Sequence, residues 1–217
     1  MLFHLKVLVV ILFAVFISCS SSSVNHKEEL QSTKISAIDT CDDPDSDINC
    51  CFVNMPDDLS YVMKIASDNE AGEKLIIAGT IFKKDGKTPL KDVIIYAYQT
   101  NNKGLYAKAG NETGAQKWHG KLHGWCKTNS EGRYEIHSIR PASYPNSSAP
   151  AHIHAAVKLP IGQKPFYIKD YVFDDDPFVN ENFRSQTQYG EGGSGVVSLQ
   201  KKDGVWIGTR DLVITQN

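Results

Sequence analysis

The 217-residue chain lacks an excess of charge of either sign: 23 Lys and Arg stand against 25 Asp and Glu, a formal net charge of −2. Proteins that grip nucleic acid through its phosphates need clustered basic residues, and none are gathered here, so a nucleic-acid partner is excluded. Gly (16) and Pro (9) are ordinary in number, which removes collagen-like and low-complexity readings. There is no internal repeat, no sustained 3.6-residue apolar period, and no apolar run of the roughly 20 residues that span a bilayer as a helix. Cysteine is scarce and odd in number, at five, and no CxxC pair suggests a zinc site. What remains is 41% hydrophobic and 10% aromatic, enough to build a globular core.

The first apolar run, Val7 to Ile17, follows a single Lys6 and ends at Ser18-Cys19 before a row of serines. It is too short for a membrane span and has the form of a secretory leader. A small residue before Cys at the end of such a run resembles a bacterial lipoprotein signal. The expectation is a signal peptide over residues 1–18, lipid on Cys19, a polar tether over 19–40 that includes His26, and one domain over 41–217. This locates the protein in a bacterial cell envelope, held to a membrane through its lipid. Lipidation also accounts for the odd cysteine. It leaves Cys41, Cys50, Cys51 and Cys126 to pair, with a local loop from Cys41 to Cys50 or Cys51 preferred.

Beyond the cysteines the chain reads as short strands between turn signals. The strands are LIIAGTIF (75–82), VIIYAYQT (93–100), HIHAAVKL (152–159), FYIKDYVF (166–173), GVVSLQ (195–200) and VWIGTRDLVI (205–214). Asp85-Gly86 and Asp203-Gly204 are turn dipeptides. Segments 124–128 and 132–136 flank Asn129-Ser130-Glu131 as a hairpin, and residues 57–66 offer one short helix. The pattern predicts an all-β protein, an antiparallel β-sandwich in a single domain.

In a strand, residues two apart share a face, so His152 and His154 point the same way and Ile153 points opposite. Two imidazoles on one strand face can ligate a metal, although HxH by itself also suits an ordinary polar face. His119 and His123, in Trp118-His119-Gly120-Lys121-Leu122-His123-Gly124-Trp125, read as loop residues, exposed to solvent rather than lining a pocket. Trp118 and Trp125 suit core packing or aromatic stacking. His137 reads as a strand-face residue. The three carboxylates of Asp174-Asp175-Asp176 alternate faces and suit a turn or rim rather than calcium. Gly190 to Gly195 reads as a loop rather than a phosphate cradle.

Several motifs occur together and in order: Gly104-Leu105-Tyr106, then Gly-Trp-x-Lys-Thr-(x)3-Gly-x-Tyr (124–134), Arg140-Pro141-(x)2-Tyr144-Pro145, Pro150-Ala151-His152-Ile153-His154, and YVFDDDP (171–177). Over roughly residues 70–180 this succession resembles the intradiol ring-cleavage dioxygenases, in particular the compact catalytic domain of protocatechuate 3,4-dioxygenase subunits. The resemblance implies one non-haem Fe(III) held by Tyr106, Tyr144, His152 and His154, with Tyr144 and His154 axial. It implies a catechol-like aromatic and O2 as substrates, with a muconate-type diacid as product. Tyr144 would leave the metal as substrate binds and take one of its protons. The family's usual Arg three residues before the first ligand His is Ala149 here, and the Trp that often follows Tyr-Pro is Asn146. Arg140 and Arg184 are candidates to supply the cation, and Arg184, which follows the acidic block, is the catalytic candidate. A homo-oligomer is admitted without being specified. The alternative is a non-catalytic, transthyretin-like cell-surface binding module, suggested by the opening Asp85-Gly86-Lys87-Thr88-Pro89.

Overall fold

A computed structural model describes residues 41–187 and 190–216. The leader, Cys19, His26 and the tether to residue 40 lie outside the described residues. Among the described residues, no helix is long and apolar enough to cross a membrane.

Two six-stranded sheets face each other. The first has the order β1 (Val62–Lys64), β5 (Arg133–Ile139), β2 (Lys74–Phe82), β11 (Val205–Thr209) and β10 (Leu199–Lys202), with β12 (Leu212–Val213) also pairing β2. The second runs β4 (His123–Lys127), β3 (Ile94–Gln99), β6 (His152–Lys158), β8 (Tyr171–Phe173) and β9 (Val196–Val197), with β7 (Phe166–Tyr167) added to β6. The expected all-β sandwich is the architecture found. The pairing is mixed within it: β2–β5, β3–β4, β3–β6 and β10–β11 are antiparallel, whereas β1–β5, β2–β11 and β8–β9 are parallel.

Period-2 alternation builds the core. Leu75, Ile77 and Ile81 of β2 and Tyr134 and Ile136 of β5 are buried against Ile95 and Ala97 of β3 and Ile153, Ala155 and Val157 of β6, and Ile139 joins them where β5 ends. Burying each such large aliphatic side chain is worth about 1.5–3 kcal/mol, which fixes the register, because a one-residue slip would expose the whole set. Two buried phenols close one side of the core, the Tyr171 hydroxyl donating to Tyr134 at 3.0 Å and the Tyr134 hydroxyl to the Arg210 carbonyl at 2.6 Å.

Four expectations change. Residues 57–66 form no helix; Val62–Lys64 is a strand, because Met63 inserts into the core and Tyr61 gives its carbonyl to the Glu135 amide at 2.8 Å. The turn at Asn129 is real, with its Oδ1 accepting from the amides of Glu131 and Arg133. Its flanking strands are not a hairpin, however: β4 pairs with β3 and β5 with β2, so this turn carries the chain from one sheet to the other. By contrast Asp203-Gly204, both at positive φ, close the β10–β11 hairpin in two residues. The four cysteines make one disulfide, Cys41–Cys50. Cys51 and Cys126 are free and buried, because they stand on opposite faces of the second sheet: Cys126 in the inter-sheet core, Cys51 among Phe52, Tyr96 and Ala156. The FYIKDYVF run divides into β7 and β8, and the bend between them brings Lys169 and Asp170 to the end of β6.

The disulfide-tied segment and the 3-10 turn Ile48–Phe52 cover the outer face of the second sheet. That cover leaves a half-buried row across three strands, in which His123, Tyr98 and His154 are register neighbours.

Candidate metal centre

β6 presents its two sides to opposite environments. Ile153 is wholly buried in the inter-sheet core, so His152 and His154 emerge together on the other face, half-buried. Two loops bring phenols to them. Tyr106 follows β3, and Tyr144 lies on the segment between β5 and β6. Gly104, at φ 75°, lets these loops touch: any Cβ there would collide with the Ser143 carbonyl oxygen. The Thr100 hydroxyl donates to the Ala142 carbonyl at 2.7 Å and the Ala142 amide to the Asn101 carbonyl at 3.1 Å, fastening the same two loops.

The four side chains that the sequence singles out meet at one place. The Tyr106 and Tyr144 hydroxyl oxygens are 2.6 Å apart, Tyr144 Oη is 3.1 Å from His152 Nε2 and 3.2 Å from His154 Nε2, and the two Nε2 atoms are 3.0 Å apart. The outer nitrogens fix the tautomers. His152 Nδ1 lies 2.7 Å from the Pro150 carbonyl and His154 Nδ1 lies 3.0 Å from the Asp170 carboxylate, both acceptors, so each Nδ1 carries the proton. Each Nε2 therefore turns a bare lone pair toward the other. Only the two phenolic protons are available for the four contacts, and neither can lie between the two nitrogens.

A bound cation would resolve that conflict. Ligand atoms about 2.1 Å from an ion and at right angles to one another stand about 3.0 Å apart, the spacing found here. The donor set is two neutral imidazoles and two phenols, and phenolate is a hard donor suited to a trivalent ion. Burial raises the pKa of both Tyr106 and Tyr144 above the ordinary phenol value, so without a metal both stay protonated; a bound cation reverses that preference. Asp170, with His152 and His154, completes a group of three potential ligands within 4.8 Å. Its carboxylate engages the Nδ1 edge of His154, away from the Nε2 atoms.

The two arginines go elsewhere. Arg184, on the helix Glu181–Thr187, turns its guanidinium to the carbonyls of Val179 and Asp174, at 3.3 and 3.4 Å. Arg140 pairs with Asp175 and lies over the rings of Phe173 and Trp206. Beside His152 a cavity of about 260 Å³ is bounded by Ala149, Pro150, Val172, Phe183 and Ser194, and by Lys169 and Asp170. Lys169 is the cation on that wall. In the sequence it is hidden within an apparent strand, FYIKDYVF, whose bend no residue announces.

His119 and His123 also differ from expectation. His119 closes the helical turn Gln116–His119 and stacks on Tyr98 at 3.7 Å between ring centres, with Nδ1 2.8 Å from the Tyr96 hydroxyl. Tyr98 in turn stacks on His154 at 4.7 Å. His123 is on β4 and donates from Nδ1 to the Gly120 carbonyl at 2.7 Å. Both are packed into the aromatic row beside the site because the 41–55 segment covers it, which a strand-by-strand reading has no means to see. Trp125 packs on Tyr96 and donates to the Cys51 carbonyl, while Trp118 is exposed. The carboxylates of 174–176 diverge as a rim, to Ser198, to Arg140, and to the amides of Ala151 and Phe178. His137 stands on β5 beside Glu135.

Residues 52–191 match the family model described as Dioxygenase. Among curated proteins, the chain is 28% identical over 140 residues to catechol 1,2-dioxygenase 1 of Acinetobacter lwoffii, covering 57% of this chain and 43% of that one. It is 32% identical over 89 residues to the protocatechuate 3,4-dioxygenase beta chain of Burkholderia cepacia, covering 38% and 37%. The chain thus spans less than half the length of these relatives. Its fold is similar to that of the dioxygenase domain of a dioxygenase carbohydrate-binding protein fusion from Streptomyces sp. SirexAA-E, with TM-score 0.56, 18% identity, and coverage of 75% and 93%. It is also similar to that of 3-chlorocatechol 1,2-dioxygenase from Rhodococcus opacus 1CP, with TM-score 0.55, 18% identity, and coverage of 76% and 68%.

Burial, with His154, His123 and Lys108 nearby, pushes the His119 pKa down to about 3. The unfolded chain binds this proton below about 6.5 and the folded chain only near 3, so stability is full above 6.5 and falls as pH drops through that window. Denaturant midpoints should fall between pH 7 and pH 4.5, and His119→Gln should flatten the dependence. An unchanged slope in that variant would contradict the assignment.

Proposed function

The chain belongs to the intradiol ring-cleavage dioxygenase family, and from that premise we propose that it binds Fe(III) through Tyr106, Tyr144, His152 and His154. We infer that it uses this centre to open a catechol-type aromatic ring with O2, giving a muconate-type diacid. The observation that carries this reading is the pair of Nε2 lone pairs facing each other at 3.0 Å with two phenol oxygens beside them. Bound ferric iron would supply Lewis acidity, making both hydroxyls of a chelating catechol far easier to deprotonate.

The chain's own residues divide the remaining work. Tyr144 sits on a loop and touches three of the other groups, so its oxygen is the one we assign to receive a proton from a substrate hydroxyl. The contact of Gly104 with Ser143 braces the loops of Tyr106 and Tyr144 against each other. The wall of Pro150, Val172 and Phe183 offers the ring an apolar surface. With Ala149 carrying no charge, Lys169 is the residue we assign to stabilise negative charge on the ring, in preference to Arg184. Export and lipidation at Cys19 are proposed on the leader alone.

The soluble form starting after Cys19 should bind about one iron per chain and be coloured through tyrosinate-to-iron charge transfer. Tyr106→Phe or Tyr144→Phe should alter that colour. A folded, colourless protein that takes up no iron would remove the metal centre. Iron with colour but no oxygen uptake on any catechol would leave the centre standing and favour the binding-module alternative. Lys169→Met should lower kcat/KM by about 10²-fold while leaving iron content unchanged, the scale for losing one preorganised electrostatic contact. An unaltered kcat/KM would take Lys169 out of the mechanism. In the full chain, Cys19→Ala should move the protein from the membrane fraction to the soluble fraction, and retention in the membrane would count against the lipid anchor.

A further inference from the structure

The two histidines are held from outside by unlike partners. His152 Nδ1 donates to a neutral carbonyl, that of Pro150, whereas His154 Nδ1 donates to the carboxylate of Asp170. The Asp170 side chain is 38% exposed and that of His154 23%, so the contact is half-desolvated rather than a free surface pair. A carboxylate here could serve merely to hold the bend between β7 and β8, but the backbone does that without it. The Ile168 amide donates to the Ala155 carbonyl at 3.1 Å and the Lys169 amide to the Glu191 carbonyl at 3.0 Å; the Lys169 carbonyl accepts from Arg210 at 2.9 Å. The Asp170 carboxylate contributes to none of these bonds, and its direct partner is His154.

We propose that Asp170 is a positioning residue that acts on the metal through His154. It holds the ring in the Nδ1–H form and gives its Nε2 more negative character than His152 Nε2 receives from a carbonyl. The inference rests on the metal reading above and deepens it. A histidine that donates to a carboxylate is a stronger σ-donor than one that donates to a carbonyl, because the anion draws the Nδ1 proton away from the ring. With two phenolates already in the donor set, the added negative charge favours a trivalent over a divalent ion. Asp170 is not assigned as a ligand, since a group hydrogen-bonded at Nδ1 lies on the edge of the ring away from Nε2.

The test uses the soluble form loaded with Fe(III), alongside Asp170→Asn, Asp170→Ala and His154→Ala. Wild type must first bind iron and show the charge-transfer band; failure at that step overturns the metal reading itself, separately from this inference. Asp170→Asn keeps an acceptor of the same shape and removes the charge. It should retain iron and move the charge-transfer band to longer wavelength. Its preference for Fe(III) over Fe(II) should fall about tenfold, equivalent to 59 mV in a one-electron potential. Asp170→Ala should lose 10–100-fold in Fe(III) affinity, the scale for removing an outer-sphere partner. Thermal unfolding of the metal-free variants separates this loss from misfolding. The proposal is overturned if folded Asp170→Asn keeps the wild-type band and potential. It is equally overturned if that variant loses iron as completely as His154→Ala, which would make Asp170 a ligand.

Discussion

Four donor atoms that two protons cannot reconcile are the constraint around which this structure is arranged. Two imidazole nitrogens, both stripped of hydrogen by the acceptors at their far edges, stand 3.0 Å apart with two phenol oxygens at their side. Unrelieved, lone pairs held this close repel, and the half-buried setting leaves little water to screen them. A cation at the centre would offset that repulsion. The bonds to Pro150 and Asp170, the contact of Gly104 with Ser143, and the fastening of the loops at Thr100 and Asn101 all serve to keep the four atoms together.

The scaffold achieves this by giving β6 two roles. Its inward residues, Ile153, Ala155 and Val157, are wholly buried and lock the strand's register; the same register then dictates that His152 and His154 emerge on the far side. The hydrophobic core and the candidate centre are thus two faces of one strand. The phenols come from loops, which the Thr100–Ala142 bond and the close approach of Gly104 to Ser143 fasten to each other. The aromatic row of His119, Tyr98 and His154 backs the centre and ties it to the disulfide-bound cover over the second sheet.

Some of this was legible in the chain. The alternation in LIIAGTIF and HIHAAVKL locates strands, because a half-buried strand must repeat every two residues. The Asp203-Gly204 turn was readable because both of its residues tolerate positive φ. The pairing of strands was not. Asn129 makes the turn its sequence implies, yet its flanking strands join opposite sheets, since a turn sets local direction and not which edge a strand will find. Residues 57–66 read as helix because their propensities permit it, and became strand because Met63 had an inter-sheet space to fill and the edge of β5 had hydrogen bonds to offer.

The sequence by itself determined the family, the all-β class and the four residues that meet at the centre, because the motifs carrying Tyr106, Tyr144, His152 and His154 lie in order along the chain. Tertiary structure alone decided which charges stand beside them. Arg184 and Arg140 are spent on backbone carbonyls and on Asp175, while Lys169 and Asp170 reach the site through a bend in what had read as one strand. The physical reason is that direct ligands must be particular residue types, which a sequence displays. A supporting charge has only to arrive at the right distance, and distance is set by how the chain folds back on itself.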